Sequence, residues 1–196
     1  MAPFGLPILK QTFRLLILAA AVSVSAALPA WAQKVRLTTS LGDIVVELDA
    51  QKAPKTVDNF LKYVKARHYD GLIFHRVIST FMIQGGGYTA DLSERPTRAP
   101  IPLESRSGLS NVRGSISMAR TQVPNSATSQ FFINVGDNLR LDQPNAADGE
   151  GYAVFGKVVE GMDVVDKIRD VPTVPEGMHQ NLPATPVVIK KASLEK

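Results

Sequence analysis

Phe74-His75-Arg76-Val77-Ile78, followed two residues on by Phe81-Met82-Ile83-Gln84-Gly85-Gly86, is the stretch on which the reading of this chain turns. It is dense in aromatic and β-branched residues, as a strand is. Alternation along a strand puts Phe74, Arg76 and Ile78 on one face and His75 and Val77 on the other. An arginine flanked by apolar groups on its own face is costly to bury without a partner. Two uses fit it: a structural cation, paired or left on a rim, and a donor built into a site. The segment alone leaves both open. His75, in a tight apolar strand, reads as a satisfied structural histidine.

Further along, Ser129-Gln130-Phe131-Phe132-Ile133 poses the same choice. Gln130 and Phe132 face one way, so a hydrogen-bonding amide stands beside a ring. Both phenylalanines can equally be core and the glutamine incidental. Between the two stretches, Gly85-Gly86-Gly87 lacks the spacing of a phosphate loop or a dinucleotide fingerprint. It reads as a place where backbone or ligand approaches closely.

The surrounding chain is rich in short strands. Arg36-Leu37-Thr38-Thr39 and Ile44-Val45-Val46-Glu47-Leu48 flank the turn residues Leu41-Gly42-Asp43 as an opening hairpin. A helix follows, with Thr56 as its expected N-cap and Val57, Phe60, Leu61 and Val64 on one face. Residues 89–112 read as a long surface excursion. Strands are expected at Gly114–Ala119, Gln130–Val135, Tyr152–Val159 and Pro186–Lys190, and a second helix at Met162–Arg169. With no βαβ alternation and no internal repeat, the class is an antiparallel barrel or sandwich. Periodicity does not choose between them.

Several chemistries drop out. With no cysteine there is no disulfide scaffold, thiolate metal site or cysteine nucleophile. The three histidines, His68, His75 and His179, have no ligand spacing, so no metal is expected. No G-x-S-x-G elbow is present.

The N-terminus is of another kind. Lys10 and Arg14 precede the apolar run from Leu15 to Ala27, and Ala30-Trp31-Ala32 supplies an A-x-A cleavage site before Gln33. This is the pattern of a secretory signal peptide at 1–32, cut after Ala32, with one domain at 33–196. The run is short for a bilayer span of about 20 residues, and retention as an anchor is the alternative. The whole chain carries 22 basic and 18 acidic residues. Loss of Lys10 and Arg14 leaves too small an excess to indicate nucleic acid. The periplasm is the expected address, and a monomer the default.

Taken together, these stretches closely resemble the cyclophilins. To those quoted, Gly114-x-Ile116-Ser117-Met118-Ala119, Val154-Phe155-Gly156-Lys157-Val158, Thr39-x-x-Gly42-x-Ile44 and Ala53-Pro54-Lys55-Thr56-x-x-Asn59-Phe60 add further matches in the same order. The resemblance spans about residues 34 to 190 and is nearest the secreted bacterial branch. It implies a mainly β fold, an eight-stranded antiparallel β-barrel capped by two α-helices. It implies peptidyl-prolyl cis/trans isomerase activity toward proline-containing segments of folding proteins, with no cofactor. By match of motif, Arg76 is the catalytic arginine. Phe81, Met82, Phe132 and Leu141 line the proline pocket, and Gln84, Ala119, Arg120 and Gln130 hold the substrate backbone. Tyr152 falls where many members carry a histidine. Arg120 replaces a frequent asparagine, and Arg140 replaces a large aromatic that helps hold the inhibitor cyclosporin, so weak inhibition is expected. A module that binds proline segments with little turnover is the alternative; the intact arginine favours the enzyme.

Overall fold

The computed structural model describes Met1 and residues 33–195. Residues 2–32, which hold nearly all of the expected export segment, lie outside the described residues. Strands β1 (Lys34–Thr39) and β2 (Gly42–Leu48) are followed by helix α1 (Pro54–Lys65). Then come β3 (Leu72–Ile78), β4 (Met82–Thr89), β5 (Ser115–Met118), β6 (Phe131–Asn134) and β7 (Val154–Glu160). Helix α2 (Met162–Arg169), the pair β8 (Thr173–Glu176) and β9 (His179–Pro183), and β10 (Ile189–Leu194) complete the order.

Eight strands form one sheet in the order β10-β1-β2-β7-β5-β6-β4-β3, with antiparallel pairing throughout. The two ends of that order meet. Ile73 of β3 bridges Val188, Phe74 N donates to Val187 O at 3.0 Å, and Gly71 N donates to Ile189 O at 2.8 Å. The sheet is therefore a nearly closed barrel rather than a sandwich, and closure leaves little free edge to pair with another chain.

Alternation sorts the residues of the barrel wall. Ile44, Val46, Ile83, Ile116, Phe131, Ile133 and Phe155 point inward and are fully buried. Helix α1 closes the barrel with the face expected of it. Phe60 sits among the rings of Tyr69, Phe131 and Phe155, with centroids 5.1, 5.7 and 5.1 Å away. Helix α2 has the expected bounds and buries Val164, Val165 and Ile168.

Two expectations need correction, and one element is new. Helix α1 begins at Pro54, so Thr56 lies inside its first turn and is not the cap. The free amides there are met from a distance: Glu104 accepts from Thr56 N at 2.8 Å and from Lys55 N at 3.2 Å, and from the Thr56 hydroxyl at 2.7 Å. Proline suits the start of a helix because its missing N–H is not needed there. The closing strand runs Ile189–Leu194 rather than 186–190, because β10 pairs along β1 in the register Thr39↔Ile189 to Val35↔Leu194. The β8–β9 hairpin was not anticipated; all four residues of β8 are exposed, so it has no apolar alternation to read.

Candidate active site

A β-bulge builds the site. Along the β3–β4 ladder Phe74 pairs with Gly85 and Arg76 with Gln84, so His75 is an extra residue on β3. The bulge breaks the alternation expected from sequence. Phe74 and Val77 enter the core, while Arg76 turns to the outer face and is exposed. Phe74 and Arg76 therefore do not share a face.

On that outer face Arg76 heads a hydrogen-bonded row. Arg76 Nη1 donates to Gln84 Oε1 at 3.3 Å, and Gln84 Nε2 donates to Gln130 Oε1 at 2.9 Å. The row runs from β3 over β4 to the residue just before β6, and beside it Gln84 stands opposite Phe132, and Phe132 opposite Ser117. The glycine run serves the chain's own packing: a Cβ on Gly87 would lie 2.7 Å from Gln130 Nε2, and Gly86 has φ +90 with Ser129 O 2.9 Å from where its Cβ would be. Without glycine there, Gln130 could not lie across β4.

Apolar side chains flank the row. Phe132 and Met82 are buried but stand outside the barrel core, and Phe132 packs edge-on against Tyr152 at 5.8 Å. Phe81 caps the start of β4, with the Arg76 guanidinium carbon 6.0 Å from its ring centroid. Leu141 ends a short 3₁₀ turn, Leu139–Leu141, and its carbonyl accepts from Tyr152 N at 2.9 Å. Ala119 N donates to Gln130 O at 3.0 Å, which ties the opposite wall to the row. Of the residues expected at the site, Arg76 is thus linked through side chains to Gln84, Gln130 and Phe81, and Phe132 to Tyr152, while Leu141 and Ala119 join through their backbones.

Arg120 has a role the sequence did not reveal. Its side chain is only 1% exposed, ion-paired to Asp148, and donates from Nε to Gly151 O at 2.9 Å. Its guanidinium carbon lies 4.6 Å from the Tyr152 ring centroid. The hydrogen bond from Arg120, helped by the Glu150 amide, holds the Asp148 carboxyl down at about 2. Arg140 is exposed and stacks on the other aromatic, its guanidinium carbon 4.7 Å from the Phe81 centroid.

His75 is buried as expected but is not satisfied: its Nδ1 has no hydrogen-bond partner. Its ring meets Tyr88 at 4.8 Å and His179 at 5.8 Å. Burial, then the nearby His179 and Arg76, lowers its pKa to about 4.

A buried polar network behind the pocket also escaped sequence reading. Ser117 Oγ donates to Asn111 Oδ1 at 2.8 Å, Asn134 Nδ2 to Ser115 Oγ at 2.9 Å, and Asn138 Nδ2 to Phe81 O at 2.8 Å. Asp142 Oδ1 accepts from Asn111 N at 2.7 Å. The network joins Phe81 to the loop that carries Arg140 and Leu141. Its one legible signal is polar residues, Ser115, Ser117 and Asn134, at strand positions that alternate with core residues.

This surface brings together aromatic rings, side-chain amides and an exposed cation. Such a set can hold a small apolar ring and an adjoining peptide group. The family model described as cyclophilin type peptidyl-prolyl cis-trans isomerase/CLD matches residues 34–194. A peptidyl-prolyl cis-trans isomerase of Streptomyces antibioticus, cyp18, is 55% identical over 161 residues, covering 82% of this chain and 97% of the relative. Peptidyl-prolyl cis-trans isomerase A of Dickeya dadantii is 52% identical over 187 residues, covering 92% and 97%. Among solved structures, a cyclophilin type isomerase of Cryptosporidium parvum superposes with TM-score 0.70 at 28% identity, covering 85% of this chain and 99% of the other. With sequence, barrel and relatives in agreement, the chain belongs to the cyclophilin-type peptidyl-prolyl cis-trans isomerases and is an enzyme of that activity.

Proposed function

We propose that this isomerase accelerates X-Pro rotation in exported proteins as they fold, with Arg76 as the donor that favours the twisted bond. The hydrogen-bonded row Arg76–Gln84–Gln130 beside Phe132 is the observation that carries the reading. An amide resists rotation because twisting breaks its resonance, a barrier of roughly 18–20 kcal/mol. The uncatalysed X-Pro step accordingly takes tens to hundreds of seconds at about 25 °C. No bond is cleaved, so neither nucleophile nor cofactor is required. Phe81, Met82, Phe132, Leu141 and Tyr152 grip the proline ring. Gln84, Gln130 and the backbone at Ala119 and Arg120 hold the peptide on one side of the rotating bond.

The remaining task is electronic. When the bond twists, the prolyl nitrogen becomes pyramidal and its lone pair leaves the resonance. A guanidinium donor aimed at that lone pair interacts more strongly with the twisted state than with the planar one, which is the condition for catalysis. The weak tether of Arg76, one 3.3 Å hydrogen bond, leaves other N–H groups of its planar fork for substrate.

Exchange between cis and trans forms of a short Ala-Pro peptide, followed by NMR with the purified protein and its Arg76→Ala variant, tests this. Acceleration by the wild type, lost in the variant with little change in peptide affinity, supports the donor role. Equal losses in turnover and affinity refute it.

The exported context rests on the pattern at 1–32. The mature protein is read as a periplasmic monomer acting on proline-containing polypeptides and not on nucleic acid. Cell fractionation with N-terminal sequencing tests the address. A periplasmic protein starting at Gln33 supports it; an intact N-terminus in the cytoplasm or membrane refutes it.

A further inference from the structure

We infer that the site favours proline segments with a carboxylate one or two residues from the proline, selected by Arg140 acting with Arg76. The inference rests on the site proposed above and concerns what it prefers.

Two guanidinium groups stand against one ring. The carbon of Arg140 is 4.7 Å and that of Arg76 6.0 Å from the Phe81 centroid. Both side chains are exposed, and among the described residues neither is ion-paired with a carboxylate. Arg36, Arg113, Arg120 and Arg169 are so paired; Arg67, Arg95, Arg98 and Arg106 are not, but Arg76 and Arg140 are the two that stand against Phe81. The acids nearest Arg140 in sequence are committed elsewhere. Asp137 Oδ1 accepts from Arg113 N at 2.8 Å. Asp142 accepts from Asn111 N at 2.7 Å, from Asn111 Nδ2 at 2.8 Å and from the Ser110 hydroxyl. The surface around Phe81 thus carries two cations without a carboxylate of their own.

Reach fixes the substrate class. A proline seated beside Phe81 has its neighbours running along the groove at roughly 3.3 Å per extended residue. A glutamate or aspartate one or two places away comes within range of one guanidinium or both. A lysine in the same place meets like charge, so the site discriminates by attraction and by repulsion. At an exposed rim the attraction is modest, on the order of a three- to tenfold preference at low salt. It belongs to encounter and binding more than to the rotating bond.

The test compares kcat/KM by NMR exchange for matched short peptides. They have glutamate, alanine or lysine at each of the two places on either side of proline. The enzymes are wild type, Arg140→Ala and Arg140→Glu. The glutamate-to-lysine ratio is read within each protein, so a general loss of activity does not disturb it. Wild type is expected to favour glutamate about three- to tenfold at ~20 mM salt and to lose most of that by ~0.5 M. The ratio falls in Arg140→Ala and falls further or inverts in Arg140→Glu. If a variant does not fold, the salt dependence of the wild-type ratio decides alone. A ratio near one at low salt in every place, while the alanine peptides are accelerated, overturns this inference and leaves the isomerase site standing. A ratio unmoved by Arg140→Glu also overturns it. Failure to accelerate the alanine peptides overturns the site itself.

Discussion

Ile83 and Gln84 are neighbours in β4 and belong to different regions of the molecule. Ile83 points inward with Ile116, Phe131 and Ile133, all fully buried in one apolar cluster. Gln84 points outward with Ser117, Phe132 and Asn134, where hydrogen bonds and ring contacts replace close apolar packing. One set of strands thus carries two chemistries, separated by the pleat alone. The inner face supplies stability through area removed from water. The outer face holds an exposed cation and amides beside Phe132 and Met82, which are buried but stand outside the inner cluster. Substitutions on the two faces should therefore separate stability from turnover.

The sharpest attempt to break this division pairs Arg76→Ala with Phe131→Ala. Arg76→Ala is expected to lower kcat/KM by about a hundredfold or more, the scale of losing one well-placed transition-state donor. Its stability should stay within about 0.5 kcal/mol of wild type, because the side chain is exposed. Phe131→Ala removes a fully buried ring that touches Phe60, Tyr69 and Phe74. It should cost about 3–5 kcal/mol. Urea melts and exchange kinetics on both variants check the pair; a strongly destabilised Arg76→Ala would erase the distinction between the faces.

His75 sits on the seam, as the extra residue of the bulge that turns Arg76 outward. Its folded pKa of about 4 lies below the ordinary 6.5, so the native state holds it neutral. Below pH 6.5 the unfolded chain takes up a proton that the folded chain refuses. The stability His75 contributes is whole above that pH and is lost as pH falls toward 4. The shift corresponds to a loss of about 3 kcal/mol across that window. Denaturant melts at pH 7 and pH 4 should show a markedly smaller acid loss in His75→Gln. An unchanged acid loss would place its cause in other groups, among them His68, whose pKa burial also lowers.

The same contrast decides what the sequence could disclose. Inner-face patterns were legible because burial repeats at a fixed period: the stripe Val57, Phe60, Leu61, Val64 marked α1, and Val164, Val165, Ile168 marked α2. The outer face has no period of its own. Arg76, Gln130 and Phe132 each had an ordinary structural reading, and only the joint resemblance to a family singled them out, with Gln84 beside them. What stayed hidden depends on contacts between distant parts of the chain. The bulge at His75 is a property of pairing with β4. The cap of α1 comes from Glu104, 48 residues beyond Thr56. The commitment of Arg120 to Asp148 depends on a loop that the local sequence does not describe.

Glu104 offers a smaller test, since it supports the core from outside the barrel. Glu104→Ala leaves two amides of the first turn of α1 and the Thr56 hydroxyl without their acceptor. The expected cost is about 1–2 kcal/mol, the range for losing a helix cap. Exchange kinetics at a temperature where the variant stays folded should be unchanged. A loss of turnover in the folded variant would mean that α1 communicates with the outer face, against the separation argued above.

Arg120 is where the division is finest. Its side chain is buried but serves the outer face: it clamps the loop at 148–151 and stacks on Tyr152, which packs on Phe132. A stacked cation of this kind is worth about 0.5–2 kcal/mol. Arg120→Lys keeps a cation but loses the fork that reaches Gly151 O and Asp148 together. If the clamp only shapes the recess, the loss appears in binding. KM should rise about threefold, kcat should hold, and the Tyr152 ring signals in NMR should shift. A fall in kcat at constant KM would instead tie Arg120 to the rotating bond. The donor work now assigned to Arg76 alone would then be shared between two arginines, one on each side of the row.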